Sequence, residues 1–435
     1  MLLLRRLSMS LGVSAGRVPL IPRRVFSASL AGDPKPEGAI IVERPSACMA
    51  TVILNRPKAL NALTEDMCEG MKNLQLEWRE ARGGGSQPPP HLFVLRGRGR
   101  AFCAGGDVKA VWQELQGMKK EEGEKREKGV ASVVGTGRRG SLHADFFRKE
   151  YEMNYLLGTS KVVQVSLWDG TVMGGGVGIS IFGAYRVATE NTLFAMPETG
   201  IGLFPDVGSS SWLPGLQPPG FGLYLGLTGV RIRASDLLKT GIATHYVTSD
   251  KLRDLEDALS SLETTAETAA AKVGAVLQRF QGQSIQGLDT SSSLLPHFSA
   301  NISNTFGPAA EGAGRLEEAI KTLHAAASTC AWSRDTLQLI SKMSPTSLRL
   351  TYQQLQQGRG KDLRDCLIIE YRLMMRCLAA HDFSEGIRAL LVDKDQQPKW
   401  RPAMPPDDVD DYFLPLAKQN ELHLSTGNRR QGTLD

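Results

Sequence analysis

Short apolar runs and longer helical patterns alternate along the first 250 residues of this 435-residue chain. The runs "AIIVE" (39–43) and "MATVIL" (49–54) have strand length, and the turn-forming "RPSAC" between them predicts a hairpin. Further strands are predicted at 91–97, 161–170 and 185–189, where apolar and β-branched residues dominate. This alternation of strands with helices predicts the α/β class.

The first helix is predicted from a helical period that begins after Thr64. Thr64 precedes Glu65 and Asp66, and a threonine followed by acidic residues is typical of a helix N-terminus. The apolar residues that recur at spacings of four, three and four are Met67, Met71, Leu74 and Trp78. The segment is therefore predicted to be an amphipathic helix that buries this face.

Strand patterns fade after about residue 251, and helical patterns replace them. Ser344 followed by Pro345 indicates a helix start. Proline has no N–H, but the N–H groups of the first helical turn have no partner within the helix, so proline loses no hydrogen bond there. Residues 361–379 form a second strong helical pattern, and the proline-rich residues 395–408 predict an extended wrap. Residues 251–435 are therefore predicted to be mainly helical.

Two polar segments interrupt these patterns. The composition of "GGGSQPPP" (83–90) predicts a surface loop, and "EEGEKREKG" (121–129) predicts a solvated, mobile stretch. The charged run that contains the second segment, residues 117–129, suggests no role of its own.

The first 32 residues differ in composition from the rest of the chain. They contain five arginines, five serines and no acidic residue, and the first carboxylate is Asp33. An Arg-rich, acid-poor composition is typical of an organelle import peptide, so residues 1–32 are predicted to be a mitochondrial transit peptide. A disordered basic tail is the alternative interpretation. The prediction assigns the mature protein to the mitochondrial matrix.

The net positive charge of the chain comes from the predicted transit peptide. The formal charge of +5 equals the five arginines of residues 1–32, so the remainder of the chain is close to neutral. A neutral chain gives no electrostatic reason to expect nucleic-acid binding. No run approaches the roughly 18 apolar residues of a membrane span. The six cysteines lack zinc-ligand spacing, which favours free thiols in a reducing compartment.

Glycine-rich turns suggest chemistry more strongly than any nucleophile motif does. "GVSAG" (12–16) matches the serine-hydrolase pattern, but it lies in the predicted import peptide without a flanking strand and helix. "AFCAGGD" (101–107) and "TVMGGGVG" (171–178) each extend from a predicted strand, and neither fits a dinucleotide-binding or P-loop pattern. Their glycines could serve close helix packing, or could present backbone N–H groups to an oxygen that becomes negative.

Two carboxylates occur in an otherwise apolar turn, "MPETGIGLFPDVGSS" (196–210). Burying an unpaired carboxylate is costly, so Glu198 and Asp206 are candidate site residues with shifted pKa values. The alternative role for Glu198 is a buried structural anchor, and for Asp206 an N-cap of the segment that follows. Combined with the two glycine turns, these acids predict an oxyanion hole with an acid–base group beside it.

These segments together resemble the crotonase (enoyl-CoA hydratase/isomerase) superfamily, and within it the hydrolases that act on 3-hydroxyisobutyryl-CoA. The motifs that carry the resemblance to the superfamily are "AFCAGGD", "TVMGGGVG" and "FAMPETGIGLFPDVG". Similarity to the hydrolases adds "FFRKEY" (146–151), "GIATHYV" (241–247), "KMSPTSLRLT" (342–351), "EYRL" (370–373) and residues 381–400. The resemblance covers roughly residues 36–400.

The resemblance implies a crotonase-like spiral of ββα units over residues 36–250, with the helical residues 251–435 completing an acyl-CoA site. It implies hydrolysis of the thioester of 3-hydroxyisobutyryl-CoA, and of 3-hydroxypropionyl-CoA, to the free acid and CoA in valine breakdown. Coenzyme A is then part of the substrate, and neither a separate cofactor nor a metal is expected.

Carried over residue by residue, the resemblance implies an oxyanion hole made by the N–H groups of Gly106 and Gly175. The substrate-contacting residues of the hydrolases match Glu150, Gly175, Glu198 and Asp206. Glu198 would activate water or attack the thioester directly. Asp206 would orient the substrate hydroxyl or the water, and Glu150 would complete the polar wall.

Two other functions stay open. Hydratases of the superfamily carry a catalytic glutamate two positions after the triple glycine, where this chain has Gly178. That difference favours hydrolysis over hydration or isomerisation of an enoyl-CoA. A CoA-binding scaffold without activity is the second alternative. Because crotonases are commonly trimers or paired trimers, the resemblance also allows a homo-oligomer.

Overall fold

The computed structural model describes residues 38–81, 88–127, 142–307 and 315–424. The predicted transit peptide lies outside these residues, as does most of the predicted loop 83–90. Within the described residues the chain forms two β-sheets surrounded by helices.

The strands of the described residues are β1 Ile40–Glu43, β2 Met49–Leu54, β3 Leu92–Gly97, β4 Ala101–Cys103, β5 Val163–Trp168, β6 Thr171–Met173, β7 Tyr185–Ala188, β8 Leu193–Ala195 and β9 His245–Tyr246. One sheet has the order β1-β2-β3-β5-β7-β9, and a smaller sheet has the order β4-β6-β8. β1 and β2 form the predicted hairpin, with Ile40 opposite Leu54, and the other strand pairs are parallel.

The α-helices of the described residues are α1 Glu65–Ala81, α2 Val108–Glu127, α3 Leu142–Gly158, α4 Gly175–Gly178, α5 Ser209–Trp212, α6 Phe221–Thr228, α7 Ala234–Lys239, α8 Leu252–Ser260, α9 Ala269–Ser284, α10 Leu295–Phe306, α11 Arg315–Ala326, α12 Ala331–Ile340, α13 Pro345–Gly358, α14 Leu363–Ala379, α15 His381–Ile387 and α16 Pro406–Asp410. Among these helices, none combines the length and the apolarity that crossing a bilayer requires.

Successive strands alternate between the two sheets. β3 is followed by β4, β5 by β6 and β7 by β8, so the chain moves from the large sheet to the small sheet three times. This is the expected spiral, and it confirms the predicted α/β class. In the small sheet Cys103 pairs with Val172, and Met173 pairs with Ala195. The carboxyl ends of β4, β6 and β8 therefore share one edge, the edge at which sites form in parallel sheets.

The large sheet is buried on both faces, which explains why its strands read as continuous apolar runs. On β3, Phe93 and Leu95 pack into the main core. Leu92 and Val94 point to the opposite face, where α8 and α9 cover the sheet. Leu277 of α9 is fully buried in this second cluster. The two helices thus complete a layer that the strands alone would leave exposed.

The predicted helix starts are confirmed. The hydroxyl of Thr64 accepts a hydrogen bond from the N–H of Met67 at 3.3 Å, and that of Ser344 accepts from Ser347 at 3.1 Å. Each bond satisfies an amide that the first turn leaves without a partner. Within the stretch predicted to be solvated and mobile, residues 121–127 are helical and continue α2. Glu, Lys and Arg dominate that segment, and all three have high helix propensity.

The predicted helical character of residues 251–435 is confirmed in their described part. These helices share a core with the strands, since Leu350 and Phe383 belong to one apolar cluster with Phe102 of β4. Of the predicted extended wrap at 395–408, residues 397–405 form no helix or strand, Gln396 has a φ of +57°, and the prediction is wrong for residues 406–408, which begin α16. The strand region and the helical region are therefore joined by continuous packing.

Leu277→Ala is expected to lower the free energy of unfolding by about 2–5 kcal/mol, because it removes a fully buried side chain and leaves a cavity under the sheet. Gln278→Ala, at the exposed neighbouring position, should change it by less than about 0.5 kcal/mol. Denaturant titration measures both values. Equal effects of the two substitutions would contradict the packing of α9 on the sheet.

Candidate active site

Three turns leave the small sheet at the shared edge. β4 leads to Gly106, β6 leads to Gly175, and β8 leads to Glu198, which opens a 3-10 turn over Glu198–Ile201. The strands are parallel neighbours, so the turns are neighbours too, although they come from distant parts of the sequence. The small sheet thereby brings together the two glycine turns and the first of the two acids.

The backbone nitrogens of Gly106 and Gly175 lie side by side. A Cβ atom at Gly175 would lie 3.2 Å from the nitrogen of Gly106 and would overlap Oε1 of Glu150. Within the described residues neither N–H is bonded to a protein acceptor. Gly175 is the first residue of α4, and the first N–H groups of a helix have no carbonyl acceptor within that helix. The arrangement offers two unsatisfied donors to one external oxygen, as an oxyanion hole requires.

Glu198 lies beside the triple glycine. A Cβ atom at Gly174 would lie 3.1 Å from Oε1 of Glu198. The side chain is only 5% exposed, and the described residues give its Oε2 no hydrogen-bond partner. Burial raises the pKa of Glu198 well above its usual range, and Asp206 and Glu150 raise it further. A buried carboxyl with an unpaired oxygen beside two unsatisfied donors is unusual in a purely structural region.

Glu150 reaches the same place from α3. Its Oε1 lies 3.9 Å from the position of a Cβ atom at Gly106, and it limits the space at Gly175. This oxygen is buried and has no partner among the described residues. Burial raises the pKa of Glu150 well above its usual range, and the negative charge of Asp206 adds to the effect. Glu150 therefore borders both glycine turns.

Asp206 is bonded to a tyrosine. Its Oδ2 accepts a hydrogen bond from the hydroxyl of Tyr151 at 2.8 Å, and both side chains are buried. Burial raises the pKa of Asp206 to about 7, and the bond from Tyr151 opposes that rise. The pKa of Asp206 therefore lies near neutrality. Its carboxyl can therefore exchange a proton at the pH of a cell compartment.

The alternative role of Asp206 as an N-cap is wrong. Gly208 is the N-cap of α5, and no side chain caps that helix. Only the backbone carbonyl of Asp206 accepts from the N–H of Ser209, at 3.0 Å. The carboxylate instead points to α3, because Val207 has a φ of +56° that turns the chain between Asp206 and Gly208. A β-branched residue seldom adopts this conformation, so the surroundings must hold it.

Val207 also fills the space beside Gly178. A Cβ atom at Gly178 would lie 2.5 Å from the Cβ of Val207. A glutamate at this position, as in the hydratases that the sequence resembles, would displace Val207 and with it the adjacent Asp206. The packing of Val207 against Gly178 therefore leaves no room for that glutamate.

Sequence reasoning missed Tyr151, which directly contacts Asp206. It is the residue after Glu150 in "FFRKEY", and the one signal available was its aromatic side chain near Phe146 and Phe147 in the same helix. That signal predicts burial, but it does not identify a partner. The same helix carries Arg148, whose guanidinium donates to the hydroxyl of Tyr371 at 2.9 Å and to the carbonyls of Asn420 and Glu421 at 3.0 Å.

An open pocket of about 200 Å³ adjoins one of the two donors. Its wall includes Asp107, Val111 and Phe146. The ring of Phe146 lies 3.1 Å from the position of a Cβ atom at Gly106. The pocket therefore gives access to the edge of the site from solvent. Across the described residues, no group of three or more His, Cys, Asp or Glu side chains is placed to hold a metal ion.

Comparison with known proteins gives the same family that the motifs suggest. The family model described as enoyl-CoA hydratase/isomerase matches residues 49–413. The 3-hydroxyisobutyryl-CoA hydrolase, mitochondrial, of Rattus norvegicus is 39% identical over 386 residues, which are 88% of this chain and 90% of that protein. The protein of the same name from Xenopus tropicalis is 41% identical over 85% of this chain and 86% of its own length.

Solved structures extend the likeness to the fold. A carnitinyl-CoA dehydratase from Mycobacterium thermoresistibile has a TM-score of 0.71 and 30% identity, covering 89% of this chain and 99% of that chain. An enoyl-CoA hydratase from Rhodobacter sphaeroides has a TM-score of 0.69 and 29% identity over 89% of this chain and 100% of that chain. With its spiral of strands and its paired glycine turns, this chain belongs to the crotonase (enoyl-CoA hydratase/isomerase) superfamily.

Proposed function

We propose that this protein hydrolyses the thioester of 3-hydroxyisobutyryl-CoA to the free acid and CoA, with 3-hydroxypropionyl-CoA as a second substrate. The observation that carries the proposal is the pair of unsatisfied amides at Gly106 and Gly175 beside the buried carboxyl of Glu198, whose Oε2 has no partner among the described residues. The relatives that are 39–41% identical over most of the chain support the choice of substrate, because their names state it.

In this proposal the thioester oxygen lies between the N–H groups of Gly106 and Gly175. Attack at the carbonyl carbon turns that oxygen into an oxyanion, and two preorganised donors lower the barrier. Removal of one such donor typically costs about 2.7–4 kcal/mol. The donors sit in a buried site, where competition from water is weak and their effect is correspondingly larger.

Glu198 supplies the attack on the carbonyl carbon. As a general base it takes a proton from a water molecule, and the resulting hydroxide adds to the carbon. The tetrahedral intermediate then breaks the carbon–sulfur bond, and the departing CoA thiolate takes the proton that Glu198 accepted from water, which restores the carboxylate. General acid–base assistance of this kind contributes roughly 10²- to 10⁴-fold. Asp206 orients the water or the 3-hydroxyl group, and Glu150 closes the polar wall.

Burial raises the pKa of all three carboxyls; Asp206 also raises the pKa of Glu150 and of Glu198, and Glu150 raises that of Glu198 further. The proposed reaction therefore depends on which of the three carboxyls carry a proton as well as on where they lie. The bond from Tyr151 favours the ionised form of Asp206. A substrate that enters the site displaces water and strengthens the electrostatic coupling of the carboxyls further.

The competing function is hydration or isomerisation of an enoyl-CoA, which the names of the two similar structures favour. Val207 occupies the space that a glutamate at position 178 would need, and this counts against it. The two functions give different signals. Hydrolysis releases a free thiol, hydration changes enoyl absorbance without thiol release, and an inactive CoA-binding scaffold does neither.

We also propose that the protein acts in the mitochondrial matrix. The similar hydrolases are named as mitochondrial, and the Arg-rich, acid-free residues 1–32 have the composition of an import peptide.

Glu198→Gln is expected to lower kcat for thiol release from 3-hydroxyisobutyryl-CoA by at least about 10²-fold, because the amide cannot accept a proton. The variant should still bind CoA, measured by titration calorimetry. Glu256→Gln is the matched control, since Glu256 is a partly buried glutamate on α8 that pairs with Arg96 outside the site. Turnover of the Glu198 variant at the wild-type rate would remove Glu198 from the mechanism.

Gly175→Ala is expected to reduce kcat by about 10²-fold or more, because a Cβ atom there would overlap Glu150 and crowd the nitrogen of Gly106. Gly117→Ala is the control: it lies on an exposed part of α2, and a Cβ atom there meets nothing within 4 Å. Steady-state thiol release compares the two. Equal activities would argue against an oxyanion hole at this turn.

Tyr151→Phe removes the hydroxyl that stabilises the ionised form of Asp206. The pKa of Asp206, about 7 in the intact site, should therefore rise. If Asp206 acts in its ionised form, the acid limb of the kcat–pH profile moves to higher pH by about one unit. Tyr185→Phe, at a tyrosine bonded to Ala270 outside the site, should leave the limb in place. A limb that does not move would show that turnover does not depend on ionised Asp206.

A further inference from the structure

A buried carboxylate from the C-terminal helices holds the turn that follows Asp206. Glu370 of α14 is fully buried. Its Oε2 accepts from the N–H of Gly208 at 2.6 Å, and its Oε1 accepts from the N–H of Ser210 at 3.0 Å. The hydroxyl of Ser210 donates to the same Oε1 at 2.5 Å, and the amide of Gln354 donates to it at 3.3 Å. Each oxygen therefore holds one main-chain amide of the turn.

The turn needs such support because of its backbone conformation. Val207 lies between Asp206 and Gly208 with a φ of +56°, which a β-branched residue adopts only when its surroundings impose it. The amide of Gly208 follows directly, and Glu370 binds it. On the other side of Val207, the carboxylate of Asp206 is bonded to Tyr151 at 2.8 Å. The left-handed residue is thus held between two hydrogen-bonded positions.

The donors also oppose the cost of burying this acid. Burial raises the pKa of Glu370 to about 8, and the bonds from Ser210 and Gly208 act in the opposite direction by favouring the ionised form. Glu370 does not border the two glycine turns, and its four donors come from Gly208, Ser210 and Gln354. Besides the electrostatic effect of its charge on Asp206 and Tyr151, its influence on the chemistry passes through the residues that it holds.

We infer that Glu370 is a positioning residue for Asp206: by binding the amides of Gly208 and Ser210 it fixes the turn that aims the Asp206 carboxylate at the site. This inference rests on the proposed function. It assigns the C-terminal helices a part in setting the geometry of the reaction, although they supply no group that touches the acyl carbon. Residues 251–435 then complete the site by holding one of its acids.

The matched control is Asp236, a second buried carboxylate with the same kind of donors. It accepts from the hydroxyl of Ser293 and from the N–H groups of Leu294 and Leu295. These bonds lie at the start of α10, away from the glycine turns. Asp236→Asn and Glu370→Gln each replace one acceptor oxygen by an NH₂ group that faces an N–H donor. Both variants are therefore expected to lower Tm, measured by thermal unfolding.

Only the Glu370 variant should change catalysis. Glu370→Gln is expected to reduce kcat for thiol release by at least about tenfold with KM within about threefold, whereas Asp236→Asn leaves kcat within about twofold. In an Asp206→Asn background, Glu370→Gln should lower kcat by less than about twofold, since residues that act through one another are not additive. An equal loss in both backgrounds, or a loss shared by the Asp236 variant, would overturn the inference.

A crystal structure of Glu370→Gln gives a readout that does not depend on turnover. The bond between Tyr151 and Asp206, 2.8 Å in the intact protein, should be broken in this variant and kept in Asp236→Asn. An intact bond in the Glu370 variant overturns the inference. Absence of thiol release by the wild type overturns the proposed function alone, because the geometric result stands or fails by itself.

Ser210→Ala serves if the Glu370 variant does not fold. It removes one donor to Glu370 and keeps both main-chain bonds. A smaller loss of kcat, about threefold, is expected with intact Asp206, and none is expected in the Asp206→Asn background. An unchanged kcat in both backgrounds counts against the inference.

Discussion

The parallel pairing of three very short strands is the constraint on which the candidate site depends. β4, β6 and β8 contribute three residues each, yet their register fixes where the chain turns after Cys103, Met173 and Ala195. The glycine turns and the first acid follow directly from these ends. Because such short strands bury little surface, the large sheet and the helices around them must hold the register. The site is therefore a product of the whole core.

The second constraint is electrostatic. Glu150, Glu198, Asp206 and Glu370 are all buried, and burial is the first cause of the raised pKa in each. The four differ in their partners: Asp206 and Glu370 accept bonds from protein donors, whereas an oxygen of Glu150 and one of Glu198 have none among the described residues. A reactive site needs carboxyls with oxygens free to contact a substrate, and it needs hydrogen-bonded groups around them that hold their positions.

Much of the fold could be read from the sequence because its signals are local. Thr64 and Ser344 cap helices within three residues of themselves, and the apolar runs of the sheet need only neighbouring residues to be recognised. Gly106 and Gly175 could be proposed because glycine marks backbone that approaches an oxygen closely, and the family resemblance joined them. The bond from Tyr151 to Asp206 could not, since it spans 55 residues and leaves no periodic trace. The cap proposed for Asp206 failed for a related reason: Val207 turns the chain in a way that no local rule for β-branched residues anticipates.

The attachment of Arg148 has a consequence for how this molecule is made. Its guanidinium, two positions before Glu150, donates to the carbonyls of Asn420 and Glu421, which are 272 and 273 residues later in the chain. During synthesis that cation cannot meet these two acceptors until residues 420 and 421 have been added. A chain that stops before residue 420 would keep the bond from Arg148 to Tyr371 but would leave the guanidinium without the other two acceptors, only two positions before Glu150 in the sequence.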